Sequence, residues 1–481
     1  MSVLTNCATG TLAPYQPNDQ RPWNLRRARH LYRRLGFGAT TDQLNNAMEV
    51  NPLDLVDQIL DGAVNQPLPD EPEWAFWAAS DYENFDEQAY PQYVDWMKDF
   101  LYAAMQNGPR ERLAIFWHSH FATKYDAYGC PSLMYQYHRL LLEYAFGDFK
   151  EFVYKIGETP AMLFFLNGFE NTQFSPNENY ARELFELFTL GVNNGYTQED
   201  IVEASHALTG YNGWTEYCGA IEWADWGFDP NPKTVFGQTL QTHQDLIDVL
   251  FQERGNLIAE FICTKLYKYY VNPEVDMNIV NGLAATFIAN DFQIEPVLRR
   301  LFRSEHFFDE SNFAVLVKSP LDNMLMFHRE GGFGEFEDQM NWMFWAAANM
   351  GMQLMEPPDV AGWPGDRSWI NSTRLTGRWQ TNDGFIWTYN GLAERVFADL
   401  ALVLTGNSNS PEVIAQTFVD HFIPNGLPNQ EDYDNATDVL KWDVPENYYT
   451  TGAWDLDWES ADWQVLLLMR HLIRRPEFQL Y

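Results

Sequence analysis

Apolar residues recur at intervals of three and four along most of the chain, which is the spacing of an amphipathic α-helix. The pattern is clear in "YPQYVDWMKDFLYAAMQNG", "PSLMYQYHRLLLEYAFGD", "GNLIAEFICTKLYKYYV" and "DMNIVNGLAATFIAN". Separated by loops of ordinary length, such segments predict about 20 helices and an all-α fold. The first of them, "PWNLRRARHLYRRLGFG", is expected to start at Pro22 and to end at Gly36 and Gly38.

Two segments break the helical pattern, because Gly, Pro and Trp crowd together in residues 211–243 and 356–390. The first segment shows traces of alternation and predicts at most a small β-hairpin. The glycine cluster "GGFGEF" at 331–336 predicts a helix stop. No linker, low-complexity tract or fixed-period repeat divides the chain. We therefore expect a polar N-terminal leader over residues 1–21 and one large helical domain over residues 22–481.

The excess of acidic over basic residues limits which classes of binding partner are expected. Lys and Arg number 31 against 67 Asp and Glu, which gives a formal net charge of −36. Nucleic acids and anionic membranes attract basic surfaces, so neither is an expected partner. Aromatic residues make up 16% of the chain and include 18 Trp. Such residues either pack a core or line grooves for sugars, peptides and other flat ligands.

The four cysteines, Cys7, Cys130, Cys218 and Cys263, show no CxxC spacing. A zinc ribbon and a c-type haem attachment are therefore not expected, and no disulfide framework is indicated. No apolar run reaches the roughly 18 residues that a membrane span needs. The first 20 residues lack a basic start and an apolar h-region. We expect a soluble protein that is either intracellular or has had a leader removed.

A series of motifs, in a fixed order from about residue 22 to the end, resembles the DUF1800 family, bacterial proteins of unknown function. The motifs are "HLYRRLGFGAT", "FWHSHFATK", "NENYARELFELFTLGV", "YTQEDIVEASHALTGY", "KTVFG", "FICTKLYKYYV", "VKSPLD", "PPDVAGWPGDRSWINSTRLTGR" and "RRPEFQLY". The resemblance implies a mostly helical protein that is often exported. It also implies a partner encoded beside it, a DUF1501 protein of alkaline-phosphatase-like type. It implies no reaction.

The stretch "PNENYARELFELFTLG" (176–191) places charges on an apolar helix. Glu178, Arg182 and Glu186 follow at i, i+4 and i+8 and therefore share one face. An apolar helix is expected to be buried, where carboxylates are costly unless they are paired, protonated or bound to metal. The network is either a structural lock between helices or part of a functional site. In the second case Glu183 and Glu186 are metal ligands or an acid–base pair.

The next predicted helix adds Glu199, Glu203 and His206 on one face. Glu203 and His206 have the Glu-x-x-His spacing of di-metal sites in four-helix bundles. The short loop "VNNGY" makes the two helices expected neighbours, so their ligands are able to converge. A full site of that type needs a second Glu-x-x-His, which the chain lacks. The position of His206 is often Arg in the family that the chain resembles.

Histidines supply the other candidate ligands. In "FWHSHFATK" the side chains of His118 and His120 point about 200° apart if the segment stays helical, and the two then do not bind one metal. If the helix ends near Trp117, both are able to bind the same metal. The family resemblance favours His120 as the functional residue; the alternative is a histidine that caps a helix end. His30 lies on an Arg-rich helix, where Arg33 and Arg34 are expected to lower its pKa and keep it neutral.

Known motifs of several enzyme classes are missing. The chain has no GxSxG, Walker A, HExxH or strand-linked GxGxxG pattern, so serine hydrolase, NTPase and nicotinamide enzyme functions are unsupported. The rigid block "PPDVAGWPGDRSWINSTRLTGR" offers Trp faces and suits either the wall of a binding cleft or a structural lid.

Two functions follow as hypotheses. The first is an enzyme with a Glu/His/Arg cluster, with a divalent metal as candidate cofactor, that hydrolyses or oxidises a polymer or peptide. Its catalytic residues would be His120, Arg182, Glu183 and Glu186, and its metal ligands would come from His30, His120, Glu183, Glu186, Glu203 and His206. We expect His120, Glu183 and Glu186 to meet beside residues 359–374. The second hypothesis is a non-catalytic binding or scaffold partner of a DUF1501-type protein.

Overall fold

The computed structural model of the protein describes residues 10–481 and is built mainly of α-helices, which confirms the predicted all-α class. The first eleven α-helices are α1 (Leu25–Leu35), α2 (Thr41–Glu49), α3 (Pro52–Asn65), α4 (Phe85–Gln106), α5 (Pro109–His120), α6 (Tyr125–Tyr128), α7 (Pro131–Glu143), α8 (Phe149–Glu158), α9 (Pro160–Phe165), α10 (Asn179–Glu183) and α11 (Gln198–Ala207).

The remaining α-helices begin with α12, which at 28 residues is the longest. They are α12 (His243–Tyr270), α13 (Met277–Ala289), α14 (Ile294–Phe302), α15 (Pro320–Gly331), α16 (Gln339–Asn349), α17 (Ser372–Leu392), α18 (Val396–Thr405), α19 (Pro411–Phe422), α20 (Gln430–Leu440), α21 (Glu446–Thr450) and α22 (Ala461–Leu472). Across residues 10–481, no helix combines the length and the apolar composition that crossing a bilayer requires.

The strands of the described chain all fall in the segment where a hairpin was predicted. β1 (Gly213–Trp214) pairs antiparallel with β2 (Ile221–Glu222), and β3 (Lys233–Val235) pairs antiparallel with β4 (Gln238–Leu240). The segment therefore holds two very short hairpins instead of one. Short strands of this kind are stable only when packed on a larger body, and here β3 packs on α11.

Capping side chains decide where several helices begin. The predicted start of α1 at Pro22 is wrong: the helix starts at Leu25, because the Asn24 side chain accepts a hydrogen bond from the Arg27 backbone N–H. Gly332 adopts the left-handed conformation and ends α15, as the glycine cluster predicted.

Part of the predicted leader packs against the helical body. The Tyr15 backbone N–H donates to the Arg303 carbonyl at 2.8 Å, and the Tyr15 side chain is buried. Residues 10–21 are thus in contact with the segment that follows α14. Residues 1–9, which include Cys7, lie outside the described part of the chain.

The centre of the molecule is formed by two helices that are buried on nearly all sides, α5 and α15. α5 packs against α3, α4 and α7, whereas α15 packs against α4, α16, α17 and α19. Both helices carry charged residues, which must be paired at this depth. The charges therefore specify how these two helices fit among their neighbours.

Arg112 on α5 makes the central ion pair. Its guanidinium donates to the Asp322 carboxylate of α15 at 2.7 Å, to the Gly36 carbonyl at 2.8 Å and to the Tyr481 hydroxyl at 2.7 Å. The Arg112 side chain is fully buried, and burial by itself lowers its pKa. The pKa is nevertheless raised, because Asp322 and the neighbouring tyrosine hydroxyls together favour the charged guanidinium. One side chain thus joins α5 to α15, to the end of α1 and to the last residue of the chain.

A second buried pair joins α1 to the other end of α15. The Arg33 guanidinium forms two parallel hydrogen bonds with the Glu330 carboxylate, at 2.5 and 2.8 Å. Arg33 also donates to the His421 carbonyl of α19 at 2.7 Å. Because Arg33 and the other cations nearby stabilise the carboxylate, the pKa of Glu330 is lowered although burial opposes this.

A disulfide joins Cys130, at the start of α7, to Cys218 in the hairpin segment. The cysteine spacing indicated no disulfide framework, and this single bond was therefore not expected. The two residues are 88 positions apart, and only the fold brings them together, so sequence spacing carried no signal. Cys263 is free and buried. Such a bond is typical of proteins that fold in oxidising compartments.

Reduction of the Cys130–Cys218 bond should lower the melting temperature. Closing a loop of this length contributes about 4–5 kcal/mol in a chain-entropy estimate. We expect the Cys130→Ser/Cys218→Ser variant to melt at the temperature of the reduced wild type and not to respond to reductant. Alkylation of denatured protein should detect two further thiols after reduction. Equal thiol counts before and after reduction would show that the bond does not form.

Arg112→Met should lower the free energy of unfolding by about 3–5 kcal/mol, because it leaves the Asp322 carboxylate buried without its partner. Urea unfolding measures the loss. In the double variant with Asp322→Asn, which removes the stranded charge, the total loss should be smaller than the sum of the two single losses. Strict additivity would mean that the two charges are not coupled.

Candidate functional site

One cavity of about 440 Å³ gathers residues from four parts of the fold. Its wall comes from the end of α5, the second half of α12, the start of α15 and the loop over residues 361–369. Polar or charged side chains at this wall are Ser119, His120, Lys265, Lys268, Ser319, Asp322 and Asp366. Its size is within the range usual for small-molecule sites. We call it the Lys265 cavity.

The central contact of the Lys265 cavity is between Lys265 and His120. The His120 ring is buried, and its Nε2 lies 3.0 Å from the Phe188 carbonyl oxygen. A carbonyl only accepts, so Nε2 carries the proton and Nδ1 carries the lone pair. The Lys265 Nζ lies 2.7 Å from that Nδ1 and donates to it. The imidazole thus fixes the position of the lysine amine.

Burial changes the protonation of both partners. It lowers the pKa of Lys265 to about 8. It also lowers the pKa of His120 well below the usual range, and the neighbouring Lys265 lowers it further, whereas the bond to Phe188 opposes the shift. His120 is therefore neutral at neutral pH. Lys265 titrates close to neutral pH, which is the property of a lysine that transfers protons or acts as a nucleophile.

The Gly/Pro/Trp-rich loop closes the Lys265 cavity on the side of α5. Gly362 has φ +82°, and a Cβ there would collide with the Ser119 carbonyl. This close approach lets the Trp363 backbone N–H donate to the Ser119 hydroxyl at 3.1 Å. Trp363 and Trp369 line the cavity with His120. The structure thus places His120 beside residues 359–374, where the sequence predicted it.

The segment 176–191 is less regular than the sequence suggested. α10 ends at Glu183, and a π-helix covers Leu184–Thr189. The Thr189 hydroxyl donates to the Leu184 carbonyl at 2.5 Å inside this turn. Phe188, near the end of the π-helix, provides the carbonyl oxygen that accepts a hydrogen bond from His120 Nε2. π-Helical turns frequently occur at functional sites, and this one positions the imidazole.

Arg182 makes the predicted contacts with Glu178 and Glu186, but the side chains of Arg182 and Glu178 are exposed to solvent and not buried. The guanidinium lies 2.8 Å from Glu178 and 3.5 Å from Glu186. The exposed fraction of the Arg182 side chain is 37%, and that of Glu178 is 39%. The expectation of a buried network is therefore wrong: the apolar residues of this helix face the core and the ion pairs face solvent.

Glu183 and Glu186 do not line the Lys265 cavity, so the structure does not bring them to His120 there. Burial raises the pKa of Glu183, the charge of Glu186 raises it further, and Arg182 opposes the shift. The acid–base role of this pair is untested and stays a prediction.

Glu203 and His206 hold the hairpin segment against α11. The Glu203 carboxylate accepts from the Thr234 backbone N–H at 2.9 Å. His206 Nδ1 lies 2.8 Å from the Asp229 carboxylate. The face that has the spacing of a di-metal ligand set thus contacts β3 and the turn before it.

His30 lies outside the Lys265 cavity. Its Nε2 donates to the Phe307 carbonyl at 3.1 Å, and its ring stacks on Phe313 at 4.0 Å. Burial is the main cause of its lowered pKa, with Arg34 and Arg33 adding to the shift as expected. It is a hydrogen-bonded core histidine.

The predicted metal ligands are not assembled into a site. Within residues 10–481, no group of three or more His, Cys, Asp or Glu side chains is placed to hold a metal ion. Five of the six candidates, His30, His120, Glu186, Glu203 and His206, already contact a hydrogen-bond or ion-pair partner in the protein. The sixth candidate is Glu183.

Sequence reasoning missed Lys265, although "FICTKLYKYYV" was among the motifs. A signal was present, because Lys265 is a charged residue between the buried residues Cys263 and Leu266 of α12. The pairing of Lys265 with His120 was not predictable from the sequence, because the two residues are 145 positions apart.

A family model described as "Protein of unknown function (DUF1800)" matches residues 30–480. No curated protein and no solved structure matches the chain. The geometry of the Lys265 cavity is therefore the basis for inferring a function.

Arg182→Met should lower the free energy of unfolding by about 1 kcal/mol or less, because a solvent-exposed ion pair contributes little. A buried network, as the apolar helix suggested, would instead give a loss of about 3–5 kcal/mol. Urea unfolding beside Arg112→Met, which removes a buried arginine, provides the comparison. A loss for Arg182→Met as large as that for Arg112→Met would contradict the exposed position of Arg182.

Proposed function

The chain belongs to the DUF1800 family of proteins of unknown function, and we propose that it is a lysine-dependent acid–base enzyme. Its substrate is a small anion that binds in the Lys265 cavity. The observation that carries this proposal is the 2.7 Å contact between Lys265 Nζ and His120 Nδ1 at the wall of that cavity.

The protonation of Lys265 supports an acid–base role. With a pKa of about 8, about one tenth of the amine is neutral at pH 7, whereas an ordinary lysine is almost wholly charged. A group whose pKa lies near the working pH transfers protons most efficiently. The neutral amine takes a proton from the substrate, and the ammonium returns one to it.

His120 acts as a positioning residue for the amine. Its Nε2–H is held by the Phe188 carbonyl, so the ring does not rotate away from Lys265. Because its own pKa is well below neutral, its lone pair stays available to the amine over the physiological pH range. A fixed amine loses less entropy when it meets a substrate than a free lysine does.

The charges around the Lys265 cavity favour an anionic ligand. Lys265 and Lys268 both line it, in a chain whose formal charge is −36. Asp322 also lines it, but Arg112 neutralises that carboxylate. Asp366 is the other acid of the wall. Two lysines in an otherwise acidic protein concentrate small anions at this position.

The aromatic residues that line the Lys265 cavity favour a reaction in a poorly hydrated site. Phe116, Tyr269, Trp363, Trp369 and Tyr481 line the Lys265 cavity. Apolar surroundings strengthen the electrostatic attraction between an amine and an anion. They are also the cause of the lowered lysine pKa.

Four finer hypotheses from the sequence are not part of this proposal. Metal-dependent hydrolysis or oxidation needs a ligand set, and the candidate ligands among residues 10–481 do not converge. The DUF1501-type partner and the exclusion of nucleic acids stay predictions. Export stays a prediction as well, and the Cys130–Cys218 bond supports it.

The proposal is tested with pyridoxal 5′-phosphate, an anionic aldehyde. A neutral lysine amine attacks the aldehyde carbon and forms an imine with loss of water, and borohydride then reduces the imine to a stable secondary amine. Peptide mass mapping should find Lys265 as the fastest-labelled lysine. Its labelling rate should rise about tenfold per pH unit below pH 8 and level off above it, because only the neutral amine reacts.

Lys265→Met should abolish the fast phase of labelling. Lys98→Met removes a partly exposed lysine that is paired with Asp95 and should leave that phase unchanged. Incubation with a mixture of small organic acids, followed by mass spectrometry, should show turnover by the wild type and none by Lys265→Met. Uniform labelling of surface lysines, or an inflection above pH 10 for Lys265, would overturn the proposal.

A further inference from the structure

A second concave surface lies between α16 and α17. It encloses about 740 Å³, more than the Lys265 cavity. Its α16 side includes Trp342, Trp345 and Asn349, and its α17 side presents hydroxyl and amide groups. We call it the α16–α17 groove. It shares no lining residue with the Lys265 cavity.

The α16–α17 groove is uncharged. None of its lining residues is Asp, Glu, Lys or Arg, although charged residues make up 20% of the chain. A groove without charges on so acidic a protein does not attract ions. Its ligand is therefore neutral.

The polar groups of the groove are open to a ligand. In the described structure the side chains of Asn349, Ser372, Thr373 and Gln380 are exposed and make no hydrogen bond within the protein. The Thr376 hydroxyl donates to the Ser372 carbonyl at 2.8 Å and keeps its lone pairs free. Together these groups offer both donors and acceptors to a ligand rich in hydroxyl groups.

Two indoles lie beside these polar groups. Trp342 packs over Gly384, where a Cβ would collide with the ring, so α17 has a glycine at this contact. Trp345 is 39% exposed, and its Nε1–H donates to Asn341 one helical turn earlier at 3.2 Å. Because its polar edge is satisfied locally, the exposed surface of Trp345 is the apolar part of the indole.

We propose that the α16–α17 groove binds a neutral oligosaccharide. A sugar ring has an apolar face of C–H groups, which packs on an indole, and a rim of hydroxyl groups, which exchange hydrogen bonds with amides and hydroxyls. A peptide fits less well. The two walls are helices and provide no strand edge, the surface is not the continuous apolar groove that an amphipathic helix needs, and no charge is present for an acidic motif.

The groove lies next to the Lys265 cavity along both chain segments. Met350 lines the groove and Met352 lines the cavity, while Trp369 lines the cavity and Ser372 lines the groove. Arg374 stands between them, with its guanidinium 5.6 Å from the Trp369 ring. Oligosaccharide binding in the groove does not depend on the chemistry proposed for Lys265.

Isothermal titration of the full chain with maltohexaose, cellohexaose and chitohexaose tests the proposal. At least one of these neutral hexasaccharides should bind, and the anionic hexagalacturonate should bind more weakly. Trp345→Ala should weaken binding about tenfold or more, because it removes the exposed indole. Thr373→Val keeps the shape of the side chain and removes its hydroxyl, and it should weaken binding by a smaller factor.

Trp226→Ala is the matched control, because Trp226 is 59% exposed and lies outside the groove. It should leave binding unchanged. Thermal melts establish that each variant is folded, and labelling of Lys265 by pyridoxal 5′-phosphate should be the same in Trp345→Ala as in the wild type. Failure of all three neutral hexasaccharides to bind, or equal binding by Trp345→Ala, would overturn the proposal. Trp345-dependent binding of peptides without sugar binding would also overturn it.

Discussion

The ion pair between Arg112 and Asp322 is the contact on which the rest of the structure depends. Both side chains are buried at the centre of the molecule, where an unpaired charge is costly. The same guanidinium also holds the Gly36 carbonyl and the Tyr481 hydroxyl. Helices α5 and α15 are therefore confined to one arrangement, and the end of α1 and Tyr481 are attached to it.

The Lys265 cavity follows from that arrangement. α5 brings His120, α15 brings Ser319 and Asp322, and α12 brings the two lysines. Arg112 and Arg33 both have carboxylate partners in the core. Lys265 instead lies beside the neutral His120 and the Phe261 ring, and within residues 10–481 it forms no ion pair with a carboxylate. A buried cation without a counter-ion has a lowered pKa, and the acid–base role that we propose for Lys265 depends on this.

The Gly/Pro/Trp-rich segment connects the two concave surfaces. Residues 361–369 close the Lys265 cavity, and α17, which follows directly, forms one wall of the α16–α17 groove. Glycines allow close approach at Gly362 and at Gly384, so that the loop reaches α5 and the Trp342 ring reaches α17. The crowding of Gly, Pro and Trp noted in the sequence thus marks the region where the two concave surfaces are formed.

The sequence by itself determined the helical class, the ends of α1 at Gly36 and of α15 at Gly332, and the i, i+4 contacts of Arg182. Spacing and capping depend on residues that are close together in the chain. It also indicated His120 and the loop 359–374 through the family resemblance. Only the tertiary structure decided that Arg182 is exposed, that Cys130 pairs with Cys218, and that Lys265 meets His120. Burial and pairing between residues 88 or 145 positions apart depend on how helices pack, and no local pattern encodes that.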